Sequence, residues 1–397
     1  MMTLPLRPLD GITVLAFEHA VAAPVCTRHL ADQGARVIKI ERPGVGDFAR
    51  NYDQRVKGLS SYFVWANRSK ESLTLDIKHP RASAILDRLL AKTDVVVQNL
   101  APGAAARLGL SFDALHVRHK GLIVCDISGY GADGPYRDKK AYDLMVQAEA
   151  GLLSATGSGD VIARAGFSAA DVSAGMYAYS SILSALLLRG RTGMGSHIDV
   201  AMFESLTEWM GNPMYYTFDG ALPAPRTGGA HPSIAPYGPT RAGDGQSVLL
   251  GVQNEREWRN FCATVLCNPT LADDARFVTN TLRSQNRAVL DEKIAEVFSG
   301  LTGAELEARL EQANIAQSRV NTAADLWTHP QLLARRRWTE VQTSAGPVPA
   351  LLPPGTNSAY RARMDAVPAL GEHTDALLAE LGFASDEIAA LHDDAAV

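Results

Sequence analysis

In the first half of the chain, apolar positions arrive in short runs separated by segments with helical spacing. Residues 14–17 form one such run, Pro24 opens a helix-like segment reaching Leu30, and 36–40 predicts a second strand. A third strand is predicted at 73–77. Pro80 suits a first helical turn, and Ile85, Leu86, Leu89 and Leu90 recur at helical spacing before a strand at 94–97. The alternation continues with a short helix at 102–108, a strand at 122–127, a helix at 141–152, a buried helix over 176–188, and a strand at 198–200 running into a helix at 201–209. Strands and helices taking turns predict an α/β fold with a parallel, helix-covered sheet.

The pattern changes after residue 211. From 212 to 244, Pro213, Pro223, Pro225, Gly228, Gly229, Pro232, Pro236 and Gly238 are expected to break any regular element, which predicts a long linker. A strand at 248–252 follows, with capping signatures at Asn254/Glu257 and Thr302/Glu305. These indicate a smaller α+β domain. An edge strand at 338–341 and a second irregular crossing through Pro349, Pro353, Pro354 and Gly355 lead to closing helices at 374–381 and 385–392. The expected organisation is a large domain at 1–211, a linker at 212–244, a small domain at 245–328, a return linker at 329–355, and the rest of the large domain at 356–397.

Composition narrows the chemistry. A chain of 397 residues with a net charge of -5 lacks the basic footprint of a nucleic-acid binder. Cys26, Cys125, Cys262 and Cys267 are too scattered for a disulfide framework or a zinc site, which favours a reducing cytoplasm. The run at 176–188 carries Tyr177, Tyr179, Ser180, Ser181 and Ser184 and is too short and polar for a membrane span. Gly44-Val45-Gly46-Asp47-Phe48-Ala49 fits the dinucleotide pattern by letter only, because the polar Arg50 to Arg55 stretch behind it lacks helical apolar spacing; it reads as a turn. No Walker A, HExxH or GxSxG sequence is present.

One carboxylate stands out among small residues. Gly166-Phe167-Ser168-Ala169-Ala170-Asp171-Val172-Ser173-Ala174-Gly175 leaves room for a ligand beside Asp171, with an apolar run behind it. The competing reading makes Asp171 the cap of a helix starting at Val172. His19, Tyr142, Asp143 and Glu204 are further acid/base or hydrogen-bonding candidates, with capping competing for Asp143. Arg42, Lys78, Arg107, Lys139 and Lys140 lie near predicted strand ends, where a parallel sheet gathers phosphorylated ligands.

The ordered motifs Val37 to Gly44 with Gly46-Asp47, Asn67-Arg68-Ser69-Lys70, Leu73 to Lys78, Asn99 to Gly103 with Arg107-Leu108-Gly109, Ser128-Gly129-Tyr130-Gly131, Ala141-Tyr142-Asp143-Leu144 and Gly371-Glu372-His373-Thr374-Asp375 resemble those of the family III CoA-transferases. The resemblance implies a Rossmann-like large domain built from both chain ends, a smaller domain between, and an interlocked, ring-like homodimer. It implies coenzyme A or acyl-CoA and a small carboxylic acid as substrates, with no permanently bound cofactor and no metal. By its motifs the nucleophile falls on Asp171, CoA contacts fall on Arg42, Leu73, Lys78, Asn99, Leu100, Arg107 and Lys140, and the substrate pocket includes His19, Val21, Ala22, Tyr142, Asp143 and His231.

Val21 stands where formyl-CoA transferase uses a glutamine, and that enzyme's Gly-rich flap is not evident, which argues against formate or oxalate. His19, Arg68, Arg226 and His231 are expected near the mouth, where they would pair with a second carboxylate. The implied reaction moves CoA from succinyl-CoA to a short dicarboxylate such as mesaconate, itaconate or citramalate. Two alternatives are an α-methylacyl-CoA racemase, which needs two flanking bases and finds Tyr142 where one belongs, and a CoA-binding protein without catalysis.

Overall fold

The apolar runs of the first half assemble into one six-stranded sheet in the computed structural model, which describes residues 6–397. Its strands are β1 (Thr13–Phe17), β2 (Arg36–Glu41), β3 (Lys70–Thr74), β4 (Val95–Gln98), β5 (Ile123–Ser128) and β6 (His197–Ala201), all paired in parallel. The order across the sheet is β3-β2-β1-β4-β5-β6. Parallel strands are covered on both faces, so β1 (TVLAF) and β4 (VVVQ) are apolar almost throughout. The order reverses between β1 and β4, the point at which a parallel sheet offers a crevice beyond its strands' carboxyl ends. The α/β class expected from the alternation is the one observed.

β3 starts at Lys70, earlier than the predicted 73–77. Lys70 and Ser72 are buried, against the usual behaviour of their residue types, because both hydrogen-bond to carboxylates under the sheet. The predicted helix at 141–152 is divided into Asp143–Glu149 and Leu152–Ala155, with Gly151 between them at φ 82°. The helix expected over 176–188 spans Ala169–Thr192, and it is not buried all round: Leu187 and Leu188 are exposed. Small residues on its inner face allow close packing. A Cβ on Gly175 would lie 2.7 Å from the carbonyl oxygen of Ala22 and 3.1 Å from Val25, so only glycine lets this helix lie against the helix Ala22–Asp32.

The chain forms two compact units. The first takes in the chain up to Gly151, Ala165–Met210 and Leu333–Val397. Both chain ends therefore build it, and Leu377, Leu378, Leu391 and Val397 share one core with Leu15, Ile40, Leu73 and Val96. Thr374 Oγ1 accepts the backbone N–H of Thr74 at 3.0 Å and joins the closing helices Thr374–Glu380 and Ser385–Asp393 to the edge strand. The predicted strand at 338–341 forms a two-stranded antiparallel sheet with Val348–Leu351.

The second unit comprises Leu152–Arg164 and Gly211–Leu332. Its three-stranded sheet runs Ala316–Arg319, Ser247–Gly251, Tyr237–Arg241, over a core including Trp258, Phe261, Phe277 and Phe298. The Pro- and Gly-rich stretch 212–244 does contain regular structure, namely the strand Tyr237–Arg241 and part of the helix Gly211–Tyr216. Pro239 is tolerated because its strand is at the sheet edge and pairs on one side only. Thr302 and Glu305 form the expected capping box.

Candidate functional site

The crevice at the β1/β4 switch is built by side chains that fix two loops. After β1 the chain continues Glu18-His19-Ala20, and after β4 it continues Asn99-Leu100. Asn99 Oδ1 accepts the His19 N–H at 3.0 Å, and Asn99 Nδ2 donates to the His19 carbonyl at 2.9 Å, which ties the loops together. Ala20 has a left-handed backbone, φ 64°. Asp47 holds it there, accepting the Ala20 N–H on Oδ1 at 3.1 Å while Oδ2 takes Lys39 Nζ at 2.8 Å.

Beneath this loop lies a buried charge cluster. Glu18 accepts from Lys70 Nζ at 2.7 Å and from Thr27 Oγ1 at 2.6 Å, and lies 3.4 Å from Lys39 Nζ. The side chains of Glu18, Lys39, Asp47 and Lys70 are fully inaccessible. Burial pulls Lys70 down to about 8 against the attraction of Glu18. Burial also works against an ionised Glu18, but Lys70 and Lys39 prevail and hold it below the ordinary value. With each charge paired, the cluster fixes the 18–22 loop as one unit.

Asp171 occupies the third position of the helix Ala169–Thr192, so it does not cap a helix starting at Val172. Ser168 precedes the helix and makes no side-chain cap bond. The cap comes from another helix. Asp143, first residue of Asp143–Glu149, accepts the N–H of Ala170 at 2.8 Å and that of Asp171 at 3.4 Å on Oδ1. Its other oxygen accepts from Gln147 Nε2 at 2.6 Å. Burial, followed by the charge of Asp143, pushes Asp171 up to about 7.

Asp171 opens into a cavity of about 640 Å³ that Val21, Ala22, Asn99, Lys140, Tyr142 and Asp143 also line. Gly129 shapes one wall, since a Cβ there would fall 2.3 Å from that of Ala141. A second cavity, of about 740 Å³, is lined by Arg42 and Lys78 together with the turn at 43–47. His19, Phe48 and Leu100 line both cavities. The His19 ring lies 4.9 Å from that of Phe48, and burial lowers its proton affinity. The Gly44 to Ala49 motif is a turn followed by the short 3-10 helix Phe48–Asn51, as its polar sequel implied.

Leu73, Arg107, Glu204 and Arg68 belong to the first unit but line neither cavity. Leu73 is fully buried in the core of the first unit. Arg107 is exposed on the short helix Ala104–Arg107 and lines neither cavity. Glu204 is exposed on Met202–Trp209. His231 belongs to the second unit, where its ring stacks on Tyr237. Arg68, expected near the mouth, is instead buried against Asp32, with bonds of 2.8 and 2.6 Å, because a guanidinium at the first unit's core edge needs a carboxylate partner. Arg226 donates to the carbonyls of Gly159 and Ser154 within the second unit.

The family model described as CoA-transferase family III matches residues 9–374. The chain belongs to the family III CoA-transferases. A succinate–glutarate CoA-transferase of Agrobacterium fabrum is 34% identical over 96% of this transferase and 98% of its own length. A succinyl-CoA–D-citramalate CoA-transferase of Chloroflexus aurantiacus is 32% identical over 98% of this chain and 97% of the relative. The crystal structure of a CaiB/BaiF family protein from Brucella suis superposes with a TM-score of 0.84 at 34% identity, covering 94% of this transferase and 99% of that chain.

Sequence reasoning missed much of what frames the transferase's cavity. Phe48, Tyr52 and Tyr62 line it as an aromatic chain, with ring centroids 5.7 and 5.3 Å apart. Arg137, also missed, adds a cation beside Lys140 and Lys139, the latter already among the basic candidates of the sequence. Lys139 is engaged by Glu149 and lies over the Tyr136 ring, 4.2 Å from its centroid. Lys39 had a usable signal: it stands between Ile38 and Ile40 in an inner strand of a sheet covered on both faces, so its side chain had to be buried and paired. Among the described residues no group of His, Cys, Asp or Glu is arranged to hold a metal ion, and no helix is long and apolar enough to cross a membrane.

Proposed function

We propose that this transferase moves CoA from an acyl-CoA donor, succinyl-CoA foremost, to a short dicarboxylic acid through a mixed anhydride on Asp171. The carrying observation is a half-buried carboxylate in a cavity that also presents Arg137, Lys139 and Lys140. Glutarate and citramalate, named for two relatives, support this acceptor class, to which mesaconate and itaconate also belong.

In the first step an Asp171 oxygen attacks the thioester carbonyl. A C–O bond forms, the C–S bond breaks, and the CoA thiolate leaves with the electron pair. The anhydride keeps the acyl group activated, so excluding water protects the thioester's energy. The retained thiolate attacks the aspartyl carbonyl and releases the donor acid. The acceptor carboxylate then displaces the thiolate to form a second anhydride, and the thiolate attacks the acceptor's carbonyl, giving the new thioester and regenerating Asp171. Atoms balance without a redox partner or net hydrolysis.

Arg42 and Lys78, lining the second cavity, suit the phosphates of CoA, with His19, Phe48 and Leu100 at the passage toward Asp171. The working form is proposed to be a homodimer that covers the exposed Leu187 and Leu188. The test of substrate class is a panel of free acids incubated with succinyl-CoA, with mass detection of new thioesters. Dicarboxylyl-CoA products support the reading, and products from monocarboxylic acids alone would overturn it.

A further inference from the structure

The side chain that organises the region behind Asp171 is an amide. Gln147 is wholly buried, one helical turn after Asp143. Its Nε2 donates to Asp143 Oδ2 at 2.6 Å and to the Phe167 carbonyl at 3.3 Å, and its Oε1 accepts the Ala165 N–H at 3.0 Å. One carboxamide thus joins three things: the helix bearing Asp143, the strand of chain entering the Asp171 helix, and Asp143 itself. A carboxylate held by donors on both oxygens is favoured in its charged form.

The consequence for Asp171 is electrostatic as well as positional. The two N–H groups at its helix start that would otherwise solvate the Asp171 carboxylate are directed at Asp143. Asp143 starts its helix beside the Asp171 helix, Tyr142 just before it lines the same cavity, and His19 lies on the loop after β1. Tyr52 and Tyr62 line the same cavity, as do the cations Arg137, Lys139 and Lys140. Of these groups, Asp143 is the one bonded to the backbone of Asp171.

We infer that Gln147 is a positioning residue for the transfer reaction: by bonding Asp143, the Phe167 carbonyl and the Ala165 N–H at once, it holds the cap of the Asp171 helix in place and so aims the Asp171 carboxylate into the cavity. This rests on the reading of Asp171 as nucleophile.

The experiment is kcat and KM of succinyl-CoA transfer for wild type, Gln147→Leu, Gln147→Glu and Asp171→Asn, with folding checked by urea denaturation. Neither Gln147 variant can donate an amide N–H to Asp143, so kcat should fall at least about tenfold while KM for succinyl-CoA stays within about twofold. Folded variants with wild-type kcat, or a loss in KM alone, overturn the inference. If the leucine variant fails to fold, the nearly isosteric glutamate variant decides by the same kcat readout. Should Asp171→Asn still transfer, the nucleophile reading fails first; with that variant inactive and kcat of the Gln147 variants unmoved, only the Gln147 inference fails.

Discussion

Asp143 accepts the backbone N–H of Asp171 at 3.4 Å, so the carboxylate that caps the helix stands beside the carboxylate that the helix presents to the cavity. The arrangement sets a conflict. A helix start normally favours negative charge, but here Asp143 takes the favourable position and Asp171 is left to ionise against burial and a neighbouring anion.

Transfer should therefore depend on pH through Asp171. Since the carboxylate is the nucleophile and is pushed up to about 7, the single-turnover rate should fall about tenfold per unit of pH below that midpoint and level off above it. Stopped-flow release of CoA thiol across the acid range checks this. A flat profile from about pH 5 to about pH 8 would separate the midpoint from the reaction.

Stability should show the opposite side of the same conflict. Asp171 binds its proton more tightly folded than unfolded, so its contribution is favourable below about pH 4 and is lost as pH rises through about 7. Asp171→Asn, which removes the charge, should match wild type in acid and exceed it by roughly 2 kcal/mol at about pH 8, after allowance for residual exposure. Urea denaturation at the two pH values measures the difference.

The buried cluster under the 18–22 loop predicts a mutation that harms both stability and rate. Asp47→Ala removes the acceptor of the Ala20 N–H and leaves Lys39 with the Glu18 carbonyl and the longer Glu18 carboxylate contact. A cost of about 3–5 kcal/mol is expected in denaturant titration, as for other broken buried pairs. The remaining folded enzyme should transfer more slowly, because Ala20 no longer has a partner to keep its left-handed backbone.

These two regions differ in how far the sequence disclosed them. The sheet was legible because covered parallel strands must be apolar, and β1, β4 and β5 fall close to their predicted runs. β3 was displaced because its first residue, Lys70, resembles surface charge until Glu18, distant in sequence, is placed beneath it. Asp171 was visible from its small neighbours, but its cap was not: Asp143 lies 28 residues earlier, and only packing reveals which helix start it serves. Gln147 had no signal at all, since a single glutamine on a short helix looks the same whether buried or exposed. Asp47 stood in plain view within the Gly44 to Ala49 turn, where turn chemistry was a sufficient explanation.

The second cavity yields a separate expectation. Arg42→Ala and Lys78→Ala should each raise KM for acyl-CoA by about tenfold, as expected for lost charge-assisted contacts to phosphate, with kcat little altered. Added salt should weaken wild-type binding more than that of either variant. Initial rates at varied succinyl-CoA and ionic strength report both effects.

The central claim is that Asp171 carries the acyl group, and hydroxylamine trapping tests it most directly. Enzyme mixed with succinyl-CoA and no acceptor, then quenched with hydroxylamine and mapped by peptide mass spectrometry, should carry an aspartyl hydroxamate at Asp171 that is absent without the thioester. An unmodified Asp171 in enzyme shown to be competent for transfer, or a hydroxamate at another carboxylate, would contradict the account.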